Sequence, residues 1–288
     1  MFEARGYLLD LTHRVPTERT LHEIVDVLAR CRYTEFRPYS SEGFPESLDL
    51  ARLGAYCDMQ GIEMVATTRD GFESLYLGPD TICVSTEAPR SLAGRVEEMR
   101  ERMQRAEAMG RGRRRFLVTD FSDGYSWQPP VVSLPGIILG GSFASGGAKA
   151  ANMDLERELN GVLDVPLGGL VLKLGTLYLR GGAVRDGASE FFNILANDHG
   201  YSRHPGITQT VLDDVSGVAR GVRIAAERWT ERSDWAKEIA YAAMLLDCAC
   251  HRRSEAMLRE LRDAHGRIWR MRFAPEGRIE SLARLPRF

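Results

Sequence analysis

The sequence has few of the features that identify several large classes of protein. Its five cysteines, at positions 31, 57, 83, 248 and 250, are odd in number and scattered, which favours reduced thiols over a disulfide framework. Neither sign of charge dominates, because 38 basic residues stand against 40 acidic residues and the formal net charge is −2. We therefore expect no nucleic acid and no membrane surface among the partners.

Long apolar runs and targeting signals are also missing. No hydrophobic stretch reaches the roughly 20 residues that a membrane-spanning helix needs, so no membrane segment is predicted. Residues 1–5 lack a signal-peptide pattern, which predicts a cytoplasmic location. The chain has no phosphate-binding loop, no serine nucleophile elbow and no complete set of metal ligands, so we expect neither a cofactor nor a metal ion.

The first half of the chain alternates strand patterns with helix patterns. Short apolar runs predict about five strands, over residues 6–11, 33–39, 62–66, 81–85 and 116–118. Amphipathic spacing predicts helices between several of them, over about 16–30, 45–60 and 91–109. This alternation predicts an α/β fold with a parallel sheet, and it leaves a barrel and an open sheet as alternatives. Polar residues follow each strand, at the edge where α/β proteins build their sites.

The second half of the chain has a helical pattern. Six candidate helices cover residues 154–163, 167–180, 188–197, 207–232, 236–251 and 254–273. Before them, the glycines at 140, 141, 146 and 147 mark either a boundary or a close approach of two backbone segments. We therefore expect residues 1–150 to form the β/α part and residues 151–288 to form a helical C-terminal region packed on it.

The stretch after the fifth predicted strand is the richest in chemically useful side chains. Asp120, Asp123, Tyr125 and Trp127 follow one another closely there. Carboxylates bind hydroxyl groups, and flat rings cover the apolar face of a pyranose, so this mixture is typical of a sugar-binding pocket. An ordinary polar turn, with Trp127 packed beneath it, is an equal alternative.

Several blocks of the sequence resemble a hexosaminidase-like (family 20) glycoside hydrolase barrel. The opening of that barrel is similar to residues 5–14, 33–39 and 55–65, and its last strand and exit loop are similar to residues 118–129 and 133–137. Residues 261–269 and 281–284 resemble the helical tail of bacterial members. Because the family's barrel has eight strands, the resemblance implies a shortened TIM-barrel-like parallel β/α sheet with the middle strands missing.

The resemblance implies part of a binding site and lacks part of a catalytic one. Arg5 occupies the position of the family's sugar-hydroxyl-binding arginine, and Asp120, Asp123 and Trp127 lie in the pocket-forming last loop. The family's general acid is the Glu of an Asp-Glu pair after the fourth strand. No apolar strand closing on Asp-Glu occurs between residues 65 and 81, so the catalytic pair has no counterpart.

Other carboxylates are candidates for the missing acid or base. We assign this role to four residues: Glu35, Glu73, Glu87 and Asp120. The candidate substrate-binding residues are Arg5, Asp10, Arg37, Asp123, Tyr125 and Trp127. A structural role at the strand ends is an alternative for Arg5 and Asp10. Catalysis requires the carboxyl groups to converge on one cleft, with separations of roughly 5–10 Å.

Two classes of function follow from these observations. The first is a glycoside-hydrolase-like protein, with or without activity, that binds a sugar or a sugar-like polar metabolite at the carboxyl ends of its strands. The second is a catalytically degenerate scaffold that binds a protein partner. A sheet of about five strands cannot close as an eight-stranded barrel does, so we also expect a homodimer or a partner protein to cover the open sheet edge.

Overall fold

The computed structural model describes residues 2–76, 78–86, 90–109, 113–123, 125–147, 153–182, 184–185, 188–197, 205–251 and 254–286. In these ranges five parallel strands form the main sheet: β1 (Ala4–Asp10), β2 (Glu35–Tyr39), β3 (Glu63–Met64), β4 (Thr81–Ser85) and β5 (Arg115–Asp120). Two short strands, β6 (Val184–Arg185) and β7 (Ala188–Ser189), form a separate antiparallel pair. The α/β class and the parallel sheet expected from the sequence are confirmed.

The order of the strands is that of a barrel with a gap. The sheet runs β3-β2-β1-β5-β4, so β1 pairs with β2 on one side and with β5, the last strand of this sheet along the chain, on the other. In a doubly wound sheet the fourth strand would pair with the first. Here the strands instead follow one another around a ring, as in a barrel, with an open seam between β3 and β4. The shortened barrel-like fold predicted from the sequence is therefore confirmed.

Twelve α-helices lie in the described ranges of the chain. Five belong to the β/α part: α1 (Glu18–Arg30), α2 (Leu50–Met59), α3 (Arg69–Tyr76), α4 (Val96–Met109) and α5 (Leu134–Gly146). Seven form the helical C-terminal region: α6 (Leu155–Leu163), α7 (Gly168–Gly175), α8 (Glu190–Ala196), α9 (Gln209–Glu227), α10 (Asp234–Cys250), α11 (Glu255–Arg272) and α12 (Arg278–Arg284). Short 3₁₀ turns cover Pro130–Val132 and Leu177–Gly181. No helix in the parts described here is long and apolar enough to cross a membrane.

The two faces of the sheet have different coverings. Alternate strand residues such as Tyr7 and Val118 enter the main hydrophobic core, to which α1, α2, α4 and α5 also contribute buried side chains. We call this side the helix face. Leu8, Tyr39 and Leu117 form a smaller cluster on the opposite side, the inner face, where Phe72 of α3 packs on them. The main helix layer therefore covers one face of the sheet, as in a barrel.

The glycine-rich segment forms α5, a helix that the sequence did not predict. A Cβ atom at Gly140 would lie 2.4 Å from Cγ2 of Val118, and one at Gly141 would lie 2.4 Å from the carbonyl oxygen of Cys31. The glycines therefore allow α5 to pack directly on the sheet and on the end of α1. Of the two alternatives expected for this segment, a domain boundary and a close approach of two backbone segments, the structure has the close approach. Because glycine lowers helix propensity by about 1 kcal/mol per residue, the same residues concealed the helix.

A buried ionic network joins the helical region to the β/α part. Arg272 of α11 donates hydrogen bonds to Glu238 of α10 and to Glu23 of α1, and its guanidinium lies 4.4 Å from the ring centre of Trp235. The other carboxylate oxygen of Glu238 accepts a hydrogen bond from the Val131 backbone N–H at 2.7 Å. Burial raises the pKa of Glu238 to about 7, against the opposing effect of Arg272. One continuous hydrophobic cluster surrounds these groups and includes both halves of the chain.

Candidate functional site

Two buried carboxylates end neighbouring strands at the carboxyl edge of the sheet. Asp10 is the last residue of β1 and is 5% exposed, and Asp120 is the last residue of β5 and is 4% exposed. Leu9 pairs with Asp120 across the two strands. Because successive side chains alternate between faces, Asp120 lies on the helix face and Asp10 lies on the inner face. The two predicted site residues thus share one edge of the sheet but belong to different faces.

Asp120 is held by two side-chain hydroxyl groups. Tyr7 Oη donates to Oδ2 of Asp120 at 2.8 Å, and Thr86 Oγ1 donates to Oδ1 at 3.2 Å. Burial raises the pKa of Tyr7 well above its ordinary value, and the negative charge of Asp120 raises it further. Tyr7 therefore stays a neutral hydrogen-bond donor at physiological pH, and it fixes the orientation of the carboxylate.

Arg14 supplies a positive charge to three of the predicted site residues. Burial of its guanidinium lowers the pKa of Arg14, and the negative charges of three nearby carboxylates oppose that effect, those of Asp120, Asp123 and Asp10. These four residues are called the arginine–aspartate cluster below. Three carboxylates predicted in the site therefore lie near enough to Arg14, which was not predicted there, for their charges to act on it.

The position of Arg14 is fixed by the loop after β5 and by the end of α11. Its guanidinium donates a hydrogen bond to the backbone carbonyl of Gln128 and lies 4.8 Å from the ring centre of Phe273. The side chain of Gln128 is 7% exposed, and its Nε2 atom has no hydrogen-bond partner in the described part of the chain. Stacking on an aromatic face and a carbonyl acceptor are both interactions that suit a planar guanidinium.

A small enclosed cavity borders the arginine–aspartate cluster. It has a volume of about 20 Å³, and its polar lining comes from Tyr7, Arg14, Asp120 and Ser133. This volume suits a single water molecule, which needs two to four polar partners. The cavity is too small for a metabolite, so it contributes a hydration site rather than a binding pocket.

A much larger cavity opens at the same edge of the sheet. It has a volume of about 570 Å³ and lies between the segment after β1, the segment after β2 and the C-terminal residues 276–280. We call it the carboxyl-edge cavity. Its aromatic contribution is Phe44, and its polar side chains are those of Thr12, His13, Ser40, Glu42, Glu276 and Glu280. This lining combines hydroxyl groups, carboxylates and an imidazole, which together can donate to and accept from a polyhydroxylated ligand.

Gly277 allows the C-terminal segment to form one wall of the carboxyl-edge cavity. Its φ is 74°, in the left-handed region, and a Cβ atom there would lie 2.2 Å from the carbonyl oxygen of His13. Any other residue at this position would meet both a backbone strain and a clash. The close contact brings Glu280 of α12 within 3.8 Å of Nδ1 of His13.

Asp123 organises the loop after β5. Its Oδ1 atom accepts hydrogen bonds from the backbone N–H groups of Tyr125 at 3.0 Å and Ser126 at 3.5 Å, and its Oδ2 atom accepts one from Nε of Arg90 at 2.9 Å. Asp10 has a similar local role, since its carboxylate accepts from the backbone N–H groups of Thr12 at 2.9 Å and Ser122 at 3.1 Å. Both aspartates thus shape the loops that border the site.

Trp127 and Tyr125 pack beneath and beside that loop. Trp127 is 1% exposed, and its indole Nε1–H donates to the carbonyl oxygen of Ser281 at 3.3 Å. Its ring centre lies 5.1 Å from that of Tyr125 and 5.5 Å from that of Phe192. Trp127 is therefore packed beneath the loop, which was one of the two alternatives, and its ring is not exposed to a ligand. Tyr125 is half-buried, with the guanidinium of Arg284 5.2 Å from its ring centre.

Arg5 lies at the opposite, amino edge of the sheet. It is the second residue of β1, where its Nε atom donates to the carbonyl oxygen of Arg32 at 2.6 Å and another guanidinium nitrogen donates to that of Phe2 at 3.2 Å. Five residues of strand separate Arg5 from Asp10, which corresponds to about 17 Å. The structure gives Arg5 contacts that hold two chain segments together, at the end of β1 away from the carboxyl-edge cavity.

Glu35 and Arg37 form an ion pair on the inner face near the amino edge. Nε and a terminal nitrogen of Arg37 donate to one oxygen of Glu35 at 2.9 and 2.7 Å, and Arg115 donates to the other oxygen at 3.4 Å. Glu35 is the first residue of β2, whereas Asp120 is the last residue of β5 and lies on the helix face. The structure therefore does not bring these two candidate catalytic carboxylates together.

Of the remaining two candidate catalytic residues, one lies away from the arginine–aspartate cluster and the other is not among the described residues. Glu73 is an exposed residue of α3 that pairs with Arg69 at 3.3 Å. Glu87 lies outside the described residues. The convergence of carboxyl groups that catalysis requires is therefore not found among Glu35, Glu73 and Asp120.

Several of the residues that build this edge are not predicted from the sequence. Arg14 belongs to the polar residues after the first predicted strand, and Tyr7 shares a face with Leu9 through strand alternation, so local signals existed for both. Glu276 and Glu280 follow the last predicted helix and have no local pattern that connects them with β1. Only the tertiary fold places them in the cavity wall.

The cysteines do not provide a metal centre in the described ranges. No group of three or more His, Cys, Asp or Glu side chains is placed there to hold a metal ion. Burial raises the pKa of Cys31 and Cys248 to about 12, and that of Cys57 and Cys83 to about 11. These buried thiols therefore stay protonated at neutral pH.

The chain was also compared with known proteins. No model of a known protein family matches it, and a search of curated protein sequences finds no significant match.

Proposed function

We propose that this protein binds a sugar-like polar metabolite in the carboxyl-edge cavity. The observation that carries the proposal is the cavity itself, about 570 Å³ in volume, with hydroxyl, carboxylate and imidazole groups on half of its lining residues. Ligand cavities in proteins span roughly 300–1,000 Å³, so this volume suits a ligand of one or two sugar rings. The carboxyl ends of parallel strands are also where β/α folds hold their ligands.

The surrounding structure supports a preformed site. Asp10 fixes the turn that carries Thr12, and Gly277 seats the C-terminal wall against His13. Arg14 follows directly in the chain, where the Gln128 carbonyl and the Phe273 ring hold its guanidinium. A site whose lining is fixed before binding loses less side-chain entropy when the ligand arrives. The likeness of the sequence blocks to a glycoside hydrolase barrel is in keeping with this ligand class.

We propose binding rather than glycoside hydrolysis as the function of this site. Hydrolysis by the common mechanisms needs two carboxyl groups on either side of one glycosidic bond. Glu35 is neutralised by Arg37 and Arg115, and Asp120 is occupied by Tyr7 and Thr86. These contacts give both carboxylates structural partners in place of a substrate.

A thermal-shift screen followed by calorimetric titration tests the proposal. A panel of neutral sugars, amino sugars and sugar phosphates is screened against the wild type, Glu42→Gln and Glu280→Gln, with Glu3→Gln as an exposed control at the amino edge. A ligand at about one hundred times its dissociation constant adds about 2.7 kcal/mol to the free energy of unfolding. We expect a sugar-type ligand whose affinity falls about tenfold in either cavity variant and is unchanged in the control. If no compound stabilises the wild type, or if both cavity variants bind as the wild type does, the proposal is wrong.

A second candidate function is the binding of a protein chain at the open seam. β3 pairs with β2 alone and β4 pairs with β5 alone within the part of the chain described here, so neither has a strand on its other side there. Exposed edges favour pairing with another strand, which supports a homodimer or a partner protein as the cover. In this alternative the protein is a scaffold without catalysis.

The seam can be tested by removing one edge donor. The Thr86 N–H points to β5, where it binds the carbonyl oxygen of Thr119, so by strand alternation the N–H of Cys83 points away from β5. Cys83→Pro removes that donor and leaves the pairing with β5 intact. We expect a dimer of the wild type in analytical ultracentrifugation and a monomer of Cys83→Pro with unchanged helical circular dichroism. A monomeric wild type would exclude the homodimer.

A further inference from the structure

A second large concavity lies on the helical C-terminal region, away from the sheet edge. It is a groove of about 680 Å³ formed mainly by α9, α10 and α11, and we call it the helical groove. α10 packs against both of the other helices. The floor of the groove is largely apolar, with side chains from two helices: Ala240, Met244, Ala264, Ile268 and Met271.

The apolar positions on the floor follow helical spacing. Ala240 and Met244 are four residues apart on α10, and Ala264, Ile268 and Met271 are separated by four and three residues on α11. A stretch of seven residues on a helix is about 10.5 Å long, so the floor matches about two turns of another helix laid along it. Apolar residues at positions i, i+4 and i+7 of such a helix would meet the floor, as in helix-in-groove recognition.

The rim of the helical groove is predominantly basic. Two carboxylates, Glu227 and Asp234, line it against five cations: Arg19, Arg223, Lys237, Arg267 and Arg270. Asp234 accepts from Arg19 and from Lys237, both at 2.8 Å. The positive charge of this side is therefore partly neutralised within the protein.

On the opposite wall of the helical groove, formed by α11, the positive charge is not neutralised. Arg267 and Arg270 of α11 are exposed, and neither has an ion-pair partner in the ranges that the structure describes. Arg223 pairs with Glu227 at 2.8 Å and also reaches Glu260 of α11. Because the remaining positive charge faces an apolar floor, the groove has both parts of an amphipathic binding surface.

We propose that the helical groove binds an amphipathic helix with an acidic face, supplied by a partner protein. The apolar stripe of that helix would cover Met244, Ile268 and Met271, and its Asp and Glu residues would meet Arg267 and Arg270. Opposite charges along the rim would speed association and reject basic helices, because like charges placed together cost free energy. This partner site is independent of the metabolite proposed for the carboxyl-edge cavity.

Selection from a displayed peptide library tests this inference on the full-length protein. The library holds helical peptides of about four turns, with apolar residues fixed at positions i, i+4 and i+7 and all other positions randomised. The variant Arg267→Glu/Arg270→Glu reverses the charge of the α11 wall, whose two arginines have no ion-pair partner in the described ranges. The control Lys173→Glu/Arg157→Glu makes the same change in charge at exposed residues of α7 and α6 that do not line the groove. Circular dichroism verifies that both variants are folded.

We expect the selected peptides to carry more Asp and Glu than Lys and Arg. Their affinity should fall about tenfold or more in Arg267→Glu/Arg270→Glu and stay unchanged in the control. Selected peptides without an acidic excess, an affinity that both double variants share, or no enrichment at all would overturn the proposal. Two other occupants would also overturn the proposal: phosphatidylglycerol vesicles and a second copy of the chain. Either would do so if it bound the wild type but not Arg267→Glu/Arg270→Glu, while no peptide bound.

Discussion

The two ends of the sheet carry arginine–carboxylate clusters of opposite balance. At the amino edge, Glu35 stands between Arg37 and Arg115, so two guanidiniums serve one carboxylate. At the carboxyl edge, the charges of three carboxylates, Asp10, Asp120 and Asp123, act on the guanidinium of Arg14, and Asp123 also pairs with Arg90 at 2.9 Å. The same residue types, at opposite edges of one sheet, therefore make two different electrostatic environments.

The difference indicates which cluster maintains the fold and which is placed to serve a ligand. At the amino edge both oxygens of Glu35 have guanidinium donors, at distances of 2.7 to 3.4 Å, and the carboxylate has little capacity left to bind anything else. At the carboxyl edge three carboxylates stand against two guanidiniums, those of Arg14 and Arg90, and the segment that carries Arg14 also lines a cavity of about 570 Å³. In β/α barrels the amino edge maintains stability and the carboxyl edge holds the site.

The largest expected effect would break the amino-edge cluster. Glu35→Ala removes the carboxylate and leaves the buried guanidinium of Arg37, which is 7% exposed, without a counter-charge. Breaking a buried pair in this way costs about 3–5 kcal/mol of the free energy of unfolding. Urea denaturation measures the loss, and titration with a carboxyl-edge ligand should give an unchanged dissociation constant for the folded fraction.

Glu63→Ala is the matched control for this prediction. Glu63 pairs with Glu35 in the register of β2 and β3, but its side chain is exposed. We expect a change within about 0.5 kcal/mol. If Glu35→Ala is as mild as this control, the amino-edge cluster does not stabilise the fold and the contrast between the two ends disappears.

A pH titration would sharpen the comparison at the carboxyl edge. His265 is buried between Tyr241 Oη, 2.7 Å from Nδ1, and Ser281 Oγ, 3.2 Å from Nε2, and Ser281 in turn donates to the carbonyl oxygen of Tyr125. Burial, and then the positive charges of Arg14 and other arginines, lower the pKa of His265 from 6.5 to about 3. A neutral His265 thus ties α11 to α12 and to the loop after β5.

The sign of the pH effect follows from the lowered pKa. The unfolded chain binds a proton at His265 below about pH 6.5 and the folded chain does not, so its contribution is complete above pH 6.5 and is lost as pH falls toward 3. One proton corresponds to about 1.4 kcal/mol per pH unit, or about 2 kcal/mol between pH 6.5 and 5. Urea midpoints across this range should depend less steeply on pH in His265→Gln. Equal slopes in the two proteins would contradict the prediction.

A smaller effect is expected from Tyr7→Phe, which alters the carboxyl-edge cluster alone. The substitution removes the 2.8 Å hydrogen bond to Asp120 and keeps the buried ring. A hydrogen bond to a charged group contributes about 1.5–3 kcal/mol, and Thr86 still donates to Asp120, so we expect a loss near the lower limit. Tyr33→Phe is a suitable comparison, because its hydroxyl donates at 2.8 Å to the neutral carbonyl of Ile137. A larger loss from Tyr33→Phe would contradict the assigned role of Asp120.

Much of the fold could be predicted from local sequence patterns. β4 matches the predicted residues 81–85, and α10 and α11 begin and end within two residues of the predicted helices, because apolar spacing follows the period of each element. β3 is shorter than predicted, and α3 lies in a segment where only a loop was expected. α3 has a short apolar stripe, formed by Phe72, Leu75 and Tyr76, but it is only eight residues long, shorter than the windows on which such predictions depend.

The site was less predictable, because its geometry depends on which face each residue takes. The sequence offers Glu35 and Asp120 as catalytic residues of one site, but Glu35 begins β2 and Asp120 ends β5, and the register puts them on opposite faces of the sheet. A shift of one residue in register would reverse the face of either side chain. Glu280, in the C-terminal wall of the cavity, lies more than 260 residues after His13 in the sequence. No local sequence pattern predicts a contact between residues so far apart.

The smallest expected effect concerns Glu73, a carboxylate that belongs to neither cluster. It is exposed on α3 and pairs with Arg69 four residues earlier at 3.3 Å. Exposed pairs of this kind contribute about 0.3–0.5 kcal/mol, so Glu73→Ala should change the free energy of unfolding by no more than that and leave ligand affinity unchanged. The effect should also shrink as salt is added, since exposed charges are screened. A marked loss of ligand binding in Glu73→Ala would instead place α3, and with it the inner face, in the functional site, and the division between a structural amino edge and a ligand-binding carboxyl edge would no longer hold.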